Sequence, residues 1–397
     1  MRLSDGEPMI GKYRPDFCVG GYMSGPFGTY LKWAQFLAAG TLALGSSVVL
    51  ADSISPTSFA ADLAVGDSVT ITKTVTVAQG GPSAAVVDIM FVFDTTGSMS
   101  SGIAGAQSTA TSLLTTLAST YNSGGGSLQS GVGWYNDPGS SVSNALTTTV
   151  ATTQASINAL SAFGGGDFPE LGYDGIKLAA DGAGWTSGSN RFMVVFGDAG
   201  FKSGSANQTS AMASLTANSI NLIGIDFCAT DYSYGLPGTC DGSNGTYTPT
   251  FASSIAGLGG TDYSSGTSAS DIATAIEAAI SASFASYGDV TVSDLGAGMP
   301  EIGVSTTCVG ADIGTCSGAH ALGSYDRSVD RTFTFDVTFT RLAAGDTIFD
   351  THALVDGGIV ASERDRFAGA TIPEPGSLSL LGLSLLGLGL SRRRRRG

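Results

Sequence analysis

Hydrophobic positions along the chain follow two rhythms. At 69–77 the sequence VTITKTVTV alternates, with Val69, Ile71, Val75 and Val77 on one face, which predicts a half-buried strand. The stretch 331–339, RTFTFDVTF, alternates in the same way through Phe333, Phe335, Val337 and Phe339, and shorter stretches at 289–295 and 346–355 predict further strands. Between these ends the rhythm changes to continuous apolar runs (VVDIMFVF, RFMVVF, INLIGIDF) separated by helical patterns. Apolar runs bounded by turns suit strands buried on both faces, and their alternation with helices predicts a parallel sheet. A first helix is expected at 99–121, with Ile103, Ala110, Leu113, Leu114, Leu117 and Tyr121 on one stripe. A last one is expected at 271–284, with Ile272, Ile276, Ile280 and Phe284 on its buried face.

The predicted fold class is therefore α/β: a doubly wound, mostly parallel sheet at 84–286, inserted in or followed by a small antiparallel β-sandwich. In the inserted layout 52–83 and 287–371 together build the sandwich. In the sequential layout the C-terminal part forms a β domain of its own.

Both ends read as addresses. Residues 36–51, FLAAGTLALGSSVVLA, are an apolar run preceded by Lys32 and closed by small residues, the pattern of an export signal cleaved after Ala51. Residues 1–51 are thus expected to be a signal peptide, with Met23 as an alternative start that would give it an ordinary length; a buried core helix is the competing assignment. At the other end, Pro373-Glu374-Pro375 is followed by an interrupted apolar stretch at 377–391 and five arginines at 392–396. Comfortable spanning takes roughly 20 apolar residues, so this stretch suits a transient membrane stop, its arginines held on the cytoplasmic side. The three parts at 372–397 resemble the PEP-CTERM sorting signal of Gram-negative bacteria that make extracellular polysaccharide. That resemblance implies removal by an exosortase and delivery to the cell surface or matrix, with membrane contact only through the sorting helix. A simple tail anchor is the alternative.

Charge narrows the partners. There are 18 Lys and Arg against 33 Asp and Glu, a net charge of −15, and half of the basic residues lie outside 52–372. Such an acidic body repels phosphate backbones, which excludes nucleic acid, and attracts divalent cations. Only His320 and His352 are present, too few for a His-based zinc site or a serine-hydrolase triad. Apart from Cys18 in the expected signal, the cysteines are Cys228, Cys240, Cys308 and Cys316. In an oxidising compartment the neighbours in sequence, Cys228 with Cys240 and Cys308 with Cys316, are the expected disulfides; a thiolate metal site is disfavoured because no CxxC spacing occurs.

Candidate chemistry gathers where the apolar runs end, the edge at which open α/β sheets place ligands. Asp94, Thr96 and Ser98 alternate just after the first run, so their oxygens can converge in a tight loop. A second loop, Gly-Gly-Gly-Asp-Phe-Pro-Glu at 164–170, brings Asp167, Pro169 and Glu170, and a third brings Asp198. Asp94, Glu170 and Asp198 at one site would repel one another unless protons or a cation intervene. An all-oxygen shell with Thr96 and Ser98 points to Mg²⁺, Mn²⁺ or Ca²⁺. The competing assignment for the first loop is a helix N-cap.

The DxTxS run with the later Asp198 loop resembles the von Willebrand factor A domain and its metal-ion-dependent adhesion site. This implies a Rossmann-like fold at 84–286, with Thr96 and Ser98 on the ion, Asp94 and Asp198 acting through water or hydrogen bonds, and an acidic group of a partner in the open position. The second loop resembles the integrin β-subunit version, where the glutamate serves the metal, a role that falls to Glu170. Integrin β subunits also place a second cation nearby; here Asp137, Asp167, the Pro169 carbonyl and Glu170 match. Gly165 stands where that site has an asparagine, so the set lacks one ligand. Asp137 beside Pro138 also suits a simple turn. The cofactors implied are Mg²⁺ or Mn²⁺ at the adhesion site and Ca²⁺ beside it.

Three functions fit these residues. One is an exported, metal-dependent adhesion protein of the cell surface or polysaccharide matrix that captures an acidic protein or polysaccharide. Another is a structural matrix protein whose metal only stabilises. A metal-dependent hydrolase is the least supported, since no positioned His, Lys or activated nucleophile accompanies the carboxylates; the chain is not expected to be an enzyme.

Overall fold

In the computed structural model, residues 51–82, 85–122, 126–166, 168–227, 249–264 and 269–369 are described. The expected signal, the sorting segment and the Cys228–Cys240 pair lie outside them. Among the described residues no helix is long and apolar enough to cross a membrane.

The continuous apolar runs become the centre of a six-stranded sheet. Its strands are β4 (Val86–Asp94), β5 (Ser127–Asn136), β6 (Gly139–Thr147), β7 (Asn190–Gly197), β8 (Ile220–Asp226) and β9 (Thr261–Ser264), in the order β6-β5-β4-β7-β8-β9. All neighbours are parallel except the β5–β6 hairpin. Period-two alternation along β4 explains the unbroken apolar run at 89–93: Ile89, Phe91 and Phe93 enter one core while Met90 and Val92 enter the other. Helices α1 (Ser100–Tyr121), α2 (Val150–Asn158) and α6 (Ala269–Ser283) close the first core. Helices α3 (Gly172–Gly182), α4 (Gln208–Ala217) and α5 (Phe251–Gly257) close the second. The expected stripe on α1 is buried, as are Ile272, Ile276 and Ile280 of α6. The fold is thus mixed α/β and doubly wound.

Asp88 interrupts the apolar run of β4 and is fully buried. Its carboxylate accepts hydrogen bonds from the Thr186 N–H at 2.7 Å and the Ser189 hydroxyl at 2.8 Å, which fix the entry into β7 and satisfy the buried charge.

The alternating stretches build two further sheets. The first has four strands: β1 (Ser53–Ser55), β3 (Ser68–Val77), β11 (Ile302–Ala311) and β14 (Arg331–Arg341), in the order β1-β3-β14-β11. The second has six: β2 (Ser58–Leu63), β10 (Ser286–Ser293), β12 (Thr315–Ser317), β13 (His320–Asp326), β15 (Thr347–Val355) and β16 (Gly358–Gly369), in the order β12-β13-β10-β15-β16-β2. Strands preceding the α/β region therefore share both sheets with strands that follow it. The pairs are antiparallel with one exception that the sequence pattern does not show: β16 and β2 run parallel. Two strands far apart in sequence need no hairpin between them, so their direction is set by how the chain enters the sheet.

The sandwich core is aromatic. Phe333, Phe335, Val337 and Phe339 of β14, with Val75 and Val77 of neighbouring β3, pack against Val290 and Val292 of β10, Phe349 of β15 and Phe367 of β16 in the other sheet. Cys308 and Cys316 form a disulfide with Cα atoms 5.3 Å apart, tying β11 to β12. The α/β region meets the sandwich through Gly188, whose carbonyl accepts the Ile359 N–H at 2.8 Å, and through Asn190, whose side chain donates to the Val86 and Ile359 carbonyls.

His352, on β15, sits against Ser362 with Nδ1 2.8 Å from the hydroxyl, and burial lowers its pKa below the usual histidine value. The unfolded chain protonates this imidazole near pH 6.5, whereas the folded chain resists until lower pH. The unfolded state then binds more protons below that point, and stability falls as pH drops. His352→Gln should therefore lose less thermal stability than the wild type between pH 7 and pH 5; equal losses in a pH series of melting curves would remove this group as a contributor.

Candidate metal centre

Strand β4 ends at Asp94, which pairs across to Tyr135 of β5, and the chain then turns sharply into α1. The turn is held from within. Asp94 Oδ1 accepts both the Thr96 N–H and the Thr96 hydroxyl at 2.8 Å, and the Thr96 and Ser98 hydroxyl oxygens lie 3.3 Å apart. Neither Thr96 nor Met99, at the N-cap positions of the helical turns that follow, makes a side-chain cap, and the one backbone N–H held by Asp94 is that of Thr96. With its proton committed to Asp94, the Thr96 oxygen can only accept, from the Ser98 hydroxyl or from another partner.

Neighbouring loops lock this turn. Asn136 donates to the Thr95 carbonyl and to the Phe163 carbonyl, each at 2.8 Å, while the Phe163 N–H bonds the Thr95 carbonyl and the Gly97 N–H bonds the Gly164 carbonyl. Gly165 has φ +80°, and a Cβ there would lie 3.0 Å from the Thr96 Cβ. Glycine at 165 therefore suits both the left-handed backbone and the close approach of the loop to Thr96. Glu170 is fixed by its backbone, its N–H on the Gly200 carbonyl and its carbonyl on the Lys202 N–H, both at 2.7 Å, which ties the second loop to the third. Asp94, Thr96, Ser98, Glu170 and Asp198 are all buried.

The electrostatics of this cluster are those of crowded acids. Asp94 is pushed up to about 7, mainly by burial and then by Glu170, with Asp137 adding to the effect and the Thr96 hydrogen bonds opposing it. The Tyr135 hydroxyl is fully buried and is raised well above the usual tyrosine value by burial and by Asp94, Glu170 and Asp198. One carboxylate from each of the three loops thus acts electrostatically on this one tyrosine. Asp94 Oδ2 is buried and accepts no hydrogen bond.

Among the described residues, no three His, Cys, Asp or Glu side chains are gathered closely enough to hold a metal ion by themselves. A cation here would need the hydroxyls of Thr96 and Ser98 as well as carboxylates. The donor set fits that need: an open carboxylate oxygen beside two hydroxyl oxygens, with neither sulfur nor imidazole, suits a hard cation. The residues expected at an adjacent cation are only partly described. Asp137 occupies the two-residue turn between β5 and β6 and forms an ion pair with Lys202, Pro169 directly precedes Glu170, and Asp167 lies outside the described residues.

The sequence pattern did not point to Tyr135, Asn136 or Lys202. For Asn136 the signal was the WYNDPG stretch, where Asp137 suits either a cation ligand or a turn. For Lys202 it was a rare cation just beyond the Asp198 loop in an acidic chain.

Residues 88–231 match the von Willebrand factor A domain family, and residues 371–396 match the PEP-CTERM protein-sorting motif. Over 88–231 the chain thus resembles a von Willebrand factor A domain. Among solved structures it is similar to a von Willebrand factor type A protein from Catenulispora acidiphila, at 14% identity and a TM-score of 0.38, covering 80% of this chain and 72% of that one. It is also similar to proximal thread matrix protein 1 of the mussel byssus in two crystal forms, at 15% and 13% identity and TM-scores of 0.37 and 0.38. Those matches cover 51% and 53% of this chain, which spans about half the length of the mussel protein. No curated protein matches it in sequence. The sorting motif marks the A-domain protein as exported and processed by an exosortase.

Proposed function

We propose that this A domain is a divalent-cation-dependent binding module, displayed on the cell surface or in the extracellular matrix of a Gram-negative bacterium, which captures an acidic group of a protein or polysaccharide. The observation that carries this is the buried, unbonded Asp94 Oδ2 beside the Thr96 and Ser98 hydroxyls at the carboxyl end of β4. Thr96 and Ser98 would hold Mg²⁺ or Mn²⁺, with Asp94, Glu170 and Asp198 balancing its charge. When bound, the ion supplies a positive charge to which a ligand carboxylate can add. The chain's own residues do the rest. Asp94 orients the Thr96 oxygen, Asn136 and the Gly164 carbonyl keep the loop closed, and the buried carboxylates favour a doubly charged cation.

We read the site as one that binds without catalysis. Its side chains are carboxylates and hydroxyls, and the two histidines stand on β13 and β15 of the sandwich. A column of immobilised polyuronate should retain the protein in Mg²⁺ or Mn²⁺ and release it in EDTA. Asp94→Ala should pass through while keeping its circular dichroism. Retention unchanged by EDTA, or by Asp94→Ala in folded protein, would contradict the proposal.

A further inference from the structure

Ionisable side chains from the two sheets meet inside the sandwich. On β3 the inward residues are Ile71, Lys73, Val75 and Val77, and Lys73 is fully buried. Opposite it, on the other sheet, β16 turns Ala361, Glu363, Asp365 and Phe367 inward, and both carboxylates are buried too. Lys73 Nζ is in contact with Glu363 Oε1 and lies 3.6 Å from Asp365 Oδ1. Beyond one another, Lys73 Nζ, both Glu363 oxygens and Asp365 Oδ1 have no hydrogen-bond partner. Only Asp365 Oδ2 is held from outside the trio, by the Thr351 hydroxyl. The walls are aromatic: the Phe339 ring centroid is 5.2 Å from Nζ, and Phe339 packs on Phe59 and Phe367.

This is a poor place for an ordinary ion pair. Two charges stripped of water, without added hydrogen bonds, cost more than their attraction returns. The neutral forms are favoured instead. Burial lowers Lys73 to about 8 and raises Asp365 above the usual carboxylate range. A neutral lysine amine is a nucleophile, and a desolvated pocket is where proteins activate one.

We propose that Lys73 and Glu363 condense into an intramolecular amide bond, with Asp365 as the proton-transfer group. The Nζ lone pair attacks Glu363 Cδ, and Asp365 takes a proton from Nζ and passes a proton to the departing hydroxyl. The C–N bond forms, the C–O bond breaks, and one water leaves. No oxidant, reductant or cofactor is needed. Holding the two groups in contact supplies the proximity that a bimolecular condensation lacks, and general acid–base help from Asp365 supplies the proton traffic. The dry pocket also keeps water from reversing the reaction. The product would join β3, ahead of the A domain, to β16, behind it, bridging the two sheets and closing a loop that contains the whole A domain. Such a link constrains the unfolded chain as other covalent crosslinks do.

The test is proteolysis and tandem mass spectrometry of the denatured full-length chain. The expected result is a branched peptide joining Lys73 to Glu363, lighter by one water than its two parts, with no tryptic cleavage after Lys73 because the amine is acylated. Asp365→Asn, folded by near-ultraviolet circular dichroism, should yield the two peptides separately. Separate, unmodified peptides from the wild type would overturn the bond. A branched peptide in Asp365→Asn would overturn the role of Asp365 while leaving the bond in place.

Discussion

Saturating Mg²⁺ is expected to raise the unfolding temperature of the wild type above its value in EDTA, and Asp94→Asn to lose most of that increment. An ion at about 100 times its dissociation constant, bound only by the native state, adds about 2.7 kcal/mol. Asparagine keeps an acceptor for the Thr96 N–H and hydroxyl, which Asp94 Oδ1 now holds at 2.8 Å, so the turn itself should persist. What it removes is the second oxygen, buried and unbonded, and a negative charge that sits near Glu170. In EDTA the variant should therefore be at least as stable as the wild type, because a buried charge facing like charge has gone. This reversal of rank between EDTA and Mg²⁺ distinguishes a metal site from a merely structural carboxylate. Wild type and variant gaining equally from Mg²⁺ would place any bound ion elsewhere, and no gain in either would leave the three loops without a metal role.

Phe196→Ala is expected to cost about 3–5 kcal/mol and to weaken cation binding, whereas Phe333→Ala should cost about the same and leave cation binding intact. Both rings are fully buried. Phe196 stacks on Phe93 with centroids 4.2 Å apart, and also on Phe227 at 6.1 Å, so it supports the residue immediately before Asp94. Phe333 lies in the sandwich, edge-on to Tyr325 at 5.1 Å and to Tyr287 at 6.4 Å, in a separate core. Urea unfolding gives the stabilities and isothermal titration with Mg²⁺ gives the affinities. Equal affinity in the two variants would show that the site's geometry does not depend on the packing beneath β4.

Much of the architecture was legible because it rests on local periodicity. The apolar runs at β4, β7 and β8 and the stripes on α1 and α6 announce themselves in the order of residue types, since each must bury a face whatever its neighbours do. The alternation in β3 and β14 did the same for one sheet of the sandwich. Strands such as β11, β13 and β16 were less visible, their alternation diluted by Gly, Ser and charge. The site was partly legible: Asp94, Thr96 and Ser98 are close in sequence, and their convergence follows from a tight turn after a buried strand. Tyr135 and Asn136 were not, because nothing local says that β5 lies beside β4 with Tyr135 opposite Asp94.

Lys73 shows the division most sharply. The alternation of VTITKTVTV put it on the same face as Ile71 and Val75, so a charge at a core position was already written in the chain. Which carboxylates would meet it was not, for Glu363 and Asp365 lie on the other sheet, across the whole A domain in sequence. By itself, then, the sequence determined the element types, the acidic, histidine-poor composition and the C-terminal sorting motif. Tertiary structure alone decided that strands before and after the A domain share two sheets, that β2 pairs parallel to β16, that Asp137 meets Lys202, and that Lys73 faces two acids. Local patterns record which face of an element must leave water; they carry no record of which distant face it will meet.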